Sequence, residues 1–312
     1  MDLPRLKITI DGKIKSRYVH TLLLGKSGTG KSSLIASWWQ QDNFYHPAMI
    51  LIEPSGFLSK DCYSISKGKA RYCSLETPIS INPMHAPHSP SQISDSIAES
   101  INQVIKLTTA NQDLTAKMRG ILDEAVRYCL SHNRKSLVNV LDYIVNLKGN
   151  SETRDGIIQR MNMLLNDEDF LPIVCGNDAM SIGNLISKRE SFILDCSGMS
   201  REKMIFAGNL ISQAVKNYFR YESPQEYQPL AMYVDECHNF INYNFMDILK
   251  EGRKYKLSCV LATQDLSFDE KMARIMLNVG NIVSFRLGAK EAQLVAKELC
   301  FETSKFRTPD LA

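Results

Sequence analysis

Residues 25–32 carry the clearest chemical motif of the chain, because GKSGTGKS matches G-x-x-x-x-G-K-[S/T] at every fixed position. Glycines in such a loop let the backbone turn tightly and direct its N–H groups at phosphate oxygens. Lys31 would bring a positive charge to the β- and γ-phosphates, and the Ser32 hydroxyl would bind Mg²⁺. The residues predicted to bind nucleotide are Gly25, Ser27, Gly28, Thr29, Gly30, Lys31, Ser32 and Ser33.

Two adjacent carboxylates, Asp235 and Glu236, directly follow the apolar run at 230–234. Successive side chains at the end of a strand diverge, so the two acids can serve different partners. We predict that Asp235 joins Ser32 at the Mg²⁺ and that Glu236 activates the attacking water. Glu236 favours hydrolysis and argues against a P-loop nucleotide or metabolite kinase, which would transfer phosphate to a substrate hydroxyl.

Three further side chains are candidates for contact with the transferred phosphate. Gln264 follows a predicted strand, and ligands of parallel sheets bind at the carboxyl ends of strands. Arg253 shares a predicted helix face with Lys250 and Lys254, for which a solvated surface is the alternative. Arg286 ends a strand predicted to be buried, where a guanidinium needs a partner. The predicted catalytic residues are Glu236, Lys31, Gln264, Arg253 and Arg286.

The elements that must position these residues alternate between short apolar runs and amphipathic stretches. A hairpin is predicted on either side of residues 11–12, where Asp-Gly favours a tight turn. Buried strands are predicted at 18–24, 48–52, 192–195, 230–234, 258–262 and 282–286. Helices are predicted at 31–41, 201–221, 245–255, 269–277 and from 289 onward. This alternation indicates an α/β fold with a mainly parallel sheet covered by helices on both faces.

Between residues 91 and 187 the pattern changes, because apolar residues recur at helical spacing and proline is nearly absent. We expect a mostly helical insertion within the α/β core. The predicted organisation has residues 1–90 as hairpin and first part of the core, 91–187 as the insertion, and 188–312 as the second part of the core.

The composition favours a globular protein and argues against a membrane-spanning or secreted one. The 312 residues are 44% hydrophobic and carry a net charge of +3, which suits a globular protein and does not by itself indicate nucleic-acid binding. The longest apolar run, Ala48–Ile52, is far shorter than the roughly 18–20 residues that span a membrane. No transmembrane segment or signal peptide is expected. The eight cysteines contain no C-x-x-C pair, so buried thiols in a cytoplasmic protein are predicted.

Several segments together resemble the HerA–FtsK superfamily of DNA-pumping ATPases, most closely the conjugative type IV secretion and coupling ATPases and related DNA-packaging motors. The segments are the phosphate loop, Tyr233–Glu236, Lys250–Tyr255, Leu261–Gln264 and Leu277–Gly288, with weaker matches at Ile52–Gly56 and Ile81–Met84. Glu53 stands where the family more often has Asp, which leaves the role of this acid open.

The resemblance implies a RecA-like P-loop NTPase that hydrolyses ATP with Mg²⁺ and works as a homo-hexameric ring. Gln264 would be the phosphate sensor, and Arg253 and Arg286 match arginines of the family. We favour Arg253 as the residue that reaches a neighbouring subunit, because it lies on a polar helix face.

The family also implies what the motor would act on. The moved substrate would be double- or single-stranded DNA, in conjugative transfer or viral genome packaging, and the motor would be recruited from the cytoplasm by a membrane complex or a capsid. The alternative is an ATPase that energises type IV-like protein secretion, which the motor motifs do not distinguish.

Overall fold

The computed structural model describes residues 7–10, 13–16, 19–45, 47–108, 113–148, 151–222, 228–240, 243–266 and 270–298. The strands are β1 Lys7–Ile10, β2 Lys13–Ser16, β3 Thr21–Leu24, β4 Ala48–Glu53, β5 Arg71–Cys73, β6 Ser191–Asp195, β7 Leu230–Val234, β8 Leu257–Thr263 and β9 Asn281–Ser284. The helices are α1 Lys31–Tyr45, α2 Phe57–Ile65, α3 Pro90–Thr108, α4 Ala116–Ser131, α5 Leu137–Asn146, α6 Ser151–Leu165, α7 Leu171–Cys175, α8 Ile182–Ser187, α9 Arg201–Asn217, α10 Tyr243–Glu251, α11 Glu270–Leu277 and α12 Ala289–Glu298.

The main sheet has seven strands in the order β5-β6-β4-β7-β8-β3-β9, and every pairing in it is parallel. The strand before the phosphate loop, β3, therefore lies between β8 and β9. The strand that carries the acidic pair, β7, is the next neighbour of β8. Because the strands are parallel, the segments that follow β7, β8 and β3 meet at one edge of the sheet. The predicted hairpin is confirmed as the antiparallel pair β1–β2.

Both faces of the sheet are covered, which explains why its central strands are continuously apolar. In β4, Ala48, Ile50 and Ile52 belong to one hydrophobic core, while Met49 and Leu51 point into a second. The second, smaller core lies under α1 and α2. Trp39 of α1 anchors it, with its ring 5.5 Å from that of Tyr233 and its Nε1 donating to Ser66 Oγ at 2.9 Å.

Six helices, α3 to α8, connect β5 to β6. Their apolar faces pack in the larger hydrophobic core, to which α9 and one face of the sheet also contribute. Asn82 ties the start of this region to its end, because its side chain donates to the backbone oxygens of Lys135 (2.8 Å) and Gly176 (3.1 Å). The helical region thus shares its core with the sheet, and the domain boundaries predicted at 90 and 187 remain a proposal.

The structure corrects two details of the predicted elements. The strand predicted as buried over 282–286 is the edge strand β9, which ends at Ser284 and is half-exposed because it pairs only with β3 among the described strands. The helix predicted over 245–255 ends at Glu251 and is followed by a 3₁₀ turn, Gly252–Tyr255. Two short elements, α2 and β5, were not predicted.

No helix among the described residues has the length and the apolar character needed to cross a bilayer. Seven of the eight cysteines lie in the described part of the chain, all as free thiols. Six of them are buried as predicted, and Cys175 is half-buried. Cys300 lies outside the described residues.

Candidate nucleotide-binding site

The predicted phosphate loop lies between β3 and α1, and its backbone geometry requires glycine. Gly30 has φ +102°, which side chains rarely adopt. A Cβ on Gly25 would lie 2.6 Å from Thr29 Oγ1 and 2.7 Å from Phe285 Cβ. Phe285, just after β9, therefore packs directly beneath the loop, a role that its position in the sequence did not indicate.

The loop is fixed to its neighbours on both sides by backbone hydrogen bonds. Gly25 N donates to Thr263 O at the end of β8 (3.3 Å), and Lys26 N donates to Arg286 O after β9 (3.0 Å). Thr29 Oγ1 closes the turn by donating to Lys26 O at 2.7 Å. The remaining predicted residues, Ser27, Gly28, Ser32 and Ser33, are exposed on the loop and on the first turn of α1.

Lys31 lies within this loop. Its side chain is buried, and Nζ donates to the backbone oxygens of Gly25 (2.7 Å) and Lys26 (3.2 Å). The loop therefore holds the ammonium group beside its own backbone, and its contact with the β- and γ-phosphates stays a prediction.

Ser32 and Asp235, the two predicted Mg²⁺ ligands, are brought together although they are far apart in sequence. Ser32 Oγ donates to Asp235 Oδ2 at 3.0 Å. Burial raises the pKa of the Asp235 carboxyl, while this hydrogen bond opposes the shift. A hydroxyl and a carboxylate at this distance are oxygen ligands of the kind that Mg²⁺ takes alongside phosphate. The residues present thus fit the predicted metal.

Glu236 and Gln264 also meet, because β7 and β8 are neighbouring parallel strands. Gln264 Nε2 donates to Glu236 Oε1 at 2.7 Å. Glu236 adopts the left-handed backbone conformation, with φ 43° and ψ 49°. Such a conformation in a non-glycine residue costs about 1 kcal/mol or more and is found at functional sites. In this conformation the Glu236 side chain meets Gln264 at the end of β8, while the Glu236 backbone N donates to Asp235 Oδ1 at 2.9 Å.

His238 contacts the same carboxylate, which the sequence did not reveal. Its Nδ1 lies 3.5 Å from Glu236 Oε2 and 3.2 Å from Thr263 Oγ1. Burial lowers the pKa of the His238 ring, although the charges of Glu236 and Asp265 act in the opposite direction. The net shift favours the neutral form of the ring.

Glu53 is the acid whose role the sequence left open, and in the structure both of its carboxylate oxygens accept hydrogen bonds. Its Oε1 accepts from Ser55 N (2.6 Å) and Ser55 Oγ (2.5 Å). Its Oε2 accepts from Gly56 N (2.6 Å), Ser59 Oγ (3.0 Å) and Ser59 N (3.4 Å). The carboxylate thus satisfies the free N–H groups at the start of α2, which is a structural task.

The two candidate arginines lie at opposite ends of the parallel strands, Arg286 after the carboxyl end of β9 and Arg253 before the amino end of β8. Arg286 follows β9, is exposed, and contacts the phosphate loop through its backbone oxygen. Arg253 lies in the turn before the amino end of β8, and its side chain is outside the described residues. The seven residues of β8 rise by about 3.3 Å each, so the backbone of Arg253 is roughly 20 Å from Gln264. The fold therefore places the backbone of Arg286, but not that of Arg253, beside the phosphate loop of the same chain.

Neither a protein-family model nor a curated protein matches the sequence. Among solved structures, VirB4 of Thermoanaerobacter pseudethanolicus superimposes with a TM-score of 0.71 at 13% identity, over 92% of this chain and 82% of VirB4. The bacterial conjugative coupling protein TrwB, in a form with sulphate, gives a TM-score of 0.66 at 13% identity over 88% of this chain and 72% of TrwB. TrwB with ADP and Mg²⁺ gives 0.61 at 14% identity over 94% and 72%. The chain thus has the RecA-like P-loop fold of these two proteins, as its sequence motifs predict.

Proposed function

We propose that the chain is a Mg²⁺-dependent ATPase that converts ATP and water to ADP and phosphate and works as a ring motor. The observation that carries the proposal is the convergence of two pairs at the carboxyl edge of the sheet, beside the phosphate loop. These are Ser32 with Asp235 at 3.0 Å and Gln264 with Glu236 at 2.7 Å. If the two acids only formed a solvated loop, they would not need hydrogen-bond partners from two other segments of the chain, the start of α1 and the end of β8.

In this mechanism the loop N–H groups and Lys31 bind the β- and γ-phosphates, and Ser32 and Asp235 hold the metal. When bound there, Mg²⁺ would neutralise charge that develops on the phosphates. Glu236 accepts the proton of the water whose oxygen attacks the γ-phosphorus, while the bond from that phosphorus to the β–γ bridging oxygen breaks. Gln264, bonded to Glu236, lies where its amide can orient that water.

The likeness to TrwB supports these ligands, since TrwB forms complexes with ADP and Mg²⁺ and with a non-hydrolysable ATP analogue. At 13–14% identity the likeness concerns the fold, and the nucleotide assignment depends on the pairs described above.

We propose DNA, double- or single-stranded, as the moved substrate, in conjugative transfer or viral genome packaging. The support is the fold shared with TrwB, which is a conjugative coupling protein. The fold shared with VirB4 equally supports the alternative, an ATPase that energises type IV-like protein secretion. A homo-hexamer in the cytoplasm, recruited by a membrane complex or a capsid, completes the proposal.

ATP hydrolysis measured with and without nucleic acid tests this function. The purified chain should release phosphate from ATP in a Mg²⁺-dependent reaction, and duplex or single-stranded DNA should accelerate it. A basal rate that no nucleic acid changes would favour the secretion alternative. Absence of turnover under every condition would contradict the ATPase itself.

A further inference from the structure

We propose that His238 is a positioning residue for Glu236, and that it does this through a hydrogen-bonded link from the Thr263 hydroxyl at the end of β8. The proposal rests on the proposed function, because Glu236 matters here as the group that activates water. It adds two residues, His238 and Thr263, that the sequence motifs do not assign to the site.

The two oxygens of the Glu236 carboxylate have different surroundings. Oε1 accepts from the exposed Gln264 amide at 2.7 Å. Oε2 is inaccessible to solvent and accepts no hydrogen bond from any residue that the structure describes, and the nearest donor described for it is His238 Nδ1 at 3.5 Å. A buried carboxylate oxygen without a donor is costly, so a small rotation that brings Nδ1 and Oε2 together is favourable. His238 thus orients the oxygen that Gln264 does not.

Thr263 determines which nitrogen of His238 carries the proton. The Thr263 hydroxyl can donate its single hydrogen to Asp265 O at 2.9 Å while its oxygen accepts from Asp265 N at 3.2 Å. In that arrangement one lone pair of the oxygen is left to accept from His238 Nδ1 at 3.2 Å. The neutral ring then carries its one hydrogen on Nδ1, where Thr263 Oγ1 and Glu236 Oε2 share it as a bifurcated hydrogen bond. In the other tautomer, Nδ1 would present a lone pair to a carboxylate and to a hydroxyl whose hydrogen is already used.

Thr263 is also bonded to the phosphate loop, because its backbone oxygen accepts from Gly25 N at 3.3 Å. The next residue, Gln264, holds the other oxygen of Glu236. The end of β8 thus contacts the loop that would bind the phosphates and, through Gln264, Oε1 of the acid that would activate water. It is linked to Oε2 of the same acid only through His238. We infer that His238 and Thr263 hold the Glu236 carboxylate at a fixed position relative to the phosphate loop.

The first test compares five variants by ATP affinity and by kcat. His238→Ala removes the donor and should lower kcat by roughly 10- to 100-fold with ATP affinity unchanged, as expected for a lost positioning contact. His238→Asn can place an amide N–H where Nδ1 lies and should restore most of the turnover. His238→Gln, whose amide reaches the place of Nε2, should not. Thr263→Val, of nearly the same shape, should reduce kcat while Thr263→Ser should retain more of it.

A merely structural role for His238 would give another pattern, since Asn and Gln would then behave alike and ATP affinity and melting temperature would fall together with kcat. That pattern, or wild-type kcat in His238→Ala, would overturn the proposal. Because Thr263→Val leaves His238 itself intact, its kcat tests the link even if the His238 variants fold poorly.

A second measurement does not depend on turnover, and so separates failure of this proposal from failure of the proposed function. Side-chain ¹⁵N NMR of the histidine-labelled protein at pH 7 should show a neutral His238 ring protonated at Nδ1, with a resonance that shifts in Glu236→Gln and in Thr263→Val. A ring protonated at Nε2, or a resonance unaffected by both variants, would contradict the link even in an active enzyme. The expected tautomer in a protein without ATPase activity would preserve the link and contradict only the enzyme.

Discussion

At the scale of single residues, Lys31 is the side chain on which nucleotide binding should depend most. Its ammonium is buried in the loop, whereas the side chain of the neighbouring Lys26 is exposed and only its backbone is bonded to the loop and to the segment after β9. Lys31→Ala should therefore abolish ATP hydrolysis and weaken nucleotide binding, measured by calorimetry and phosphate release. Lys26→Ala, which removes one positive charge from the same loop, is the matched control and should bind ATP nearly normally. Equal losses in the two variants would mean that only net charge matters.

Glu53 gives a residue-scale prediction of the opposite kind, a large effect on stability with little effect on chemistry. Its two oxygens accept five hydrogen bonds at the start of α2. In Glu53→Gln one of these oxygens becomes a donor that faces other donors, so the free energy of unfolding should fall by about 2 kcal/mol or more. Denaturant titration measures this, with Glu76→Gln on an exposed turn as control. A folded Glu53→Gln protein that binds ATP and has lost all turnover would instead make Glu53 a catalytic acid.

At the scale of elements, the docking of α1 on the sheet depends on Trp39. The ring is fully buried, contacts Tyr233 edge-on and donates to Ser66. Trp39→Ala should reduce the free energy of unfolding by about 3–5 kcal/mol, as for other buried aromatic truncations. Trp38→Ala, on the half-buried side of the same helix, should cost clearly less. Similar losses from the two substitutions would contradict the assignment of Trp39 as the anchor of the smaller core.

The long or strongly apolar elements could be predicted from the sequence, and the short ones could not. The strand β7 was predicted with its observed bounds because five consecutive apolar residues end at two acids. The strand β5 has only three residues. The helix α2 has nine, so its apolar residues Leu58, Cys62 and Ile65 repeat at helical spacing over too few turns to be distinctive. The edge position of β9 could not be predicted, since strand order is a property of the fold and not of the local pattern.

The candidate site was predictable to the extent that it consists of motifs. The phosphate loop, the acidic pair and Gln264 were all selected from spacing and from strand ends. The structure brings Ser32 to Asp235 and Gln264 to Glu236, and the roles of these residues stay predictions. His238, Thr263 and Phe285 were missed because their roles depend on hydrogen bonds and packing between strands that are distant in sequence. A histidine two residues after a strand-end acid was the only signal, and it is a weak one.

At the scale of the whole molecule, the distance of Arg253 from its own site leads to a prediction about assembly. Arg253→Ala and Arg286→Ala should each bind ATP but hydrolyse it slowly. For an arginine that acts on the phosphate, kcat should fall by about 10³-fold or more. Since the backbone of Arg253 lies roughly 20 Å from Gln264 of the same chain, we expect Arg253 to act on a neighbouring subunit of the proposed ring.

Mixed assemblies distinguish the two arginines. Arg253→Ala subunits mixed with Glu236→Gln subunits should regain part of the activity, because some interfaces pair an intact arginine with an intact acid. Arg286→Ala subunits in the same mixture should not, since every site would then lack one of its own groups. Phosphate release by the mixtures, compared with each variant alone, is the measurement. Rescue of Arg286→Ala but not of Arg253→Ala would reverse the assignment, and full activity in a verified monomer would exclude the ring mechanism.

The most direct test of the account is ATP turnover by the wild-type chain and by Glu236→Gln in the presence of Mg²⁺. The account predicts that the wild type hydrolyses ATP, and that the variant binds ATP with similar affinity while its kcat falls by about 100-fold or more, as expected when a general base is lost. Asp235 and Ser32 remain in the variant to hold the metal. A Glu236→Gln protein that turns over ATP at the wild-type rate, or a wild type that binds Mg²⁺–ATP without hydrolysing it, would contradict the central claim.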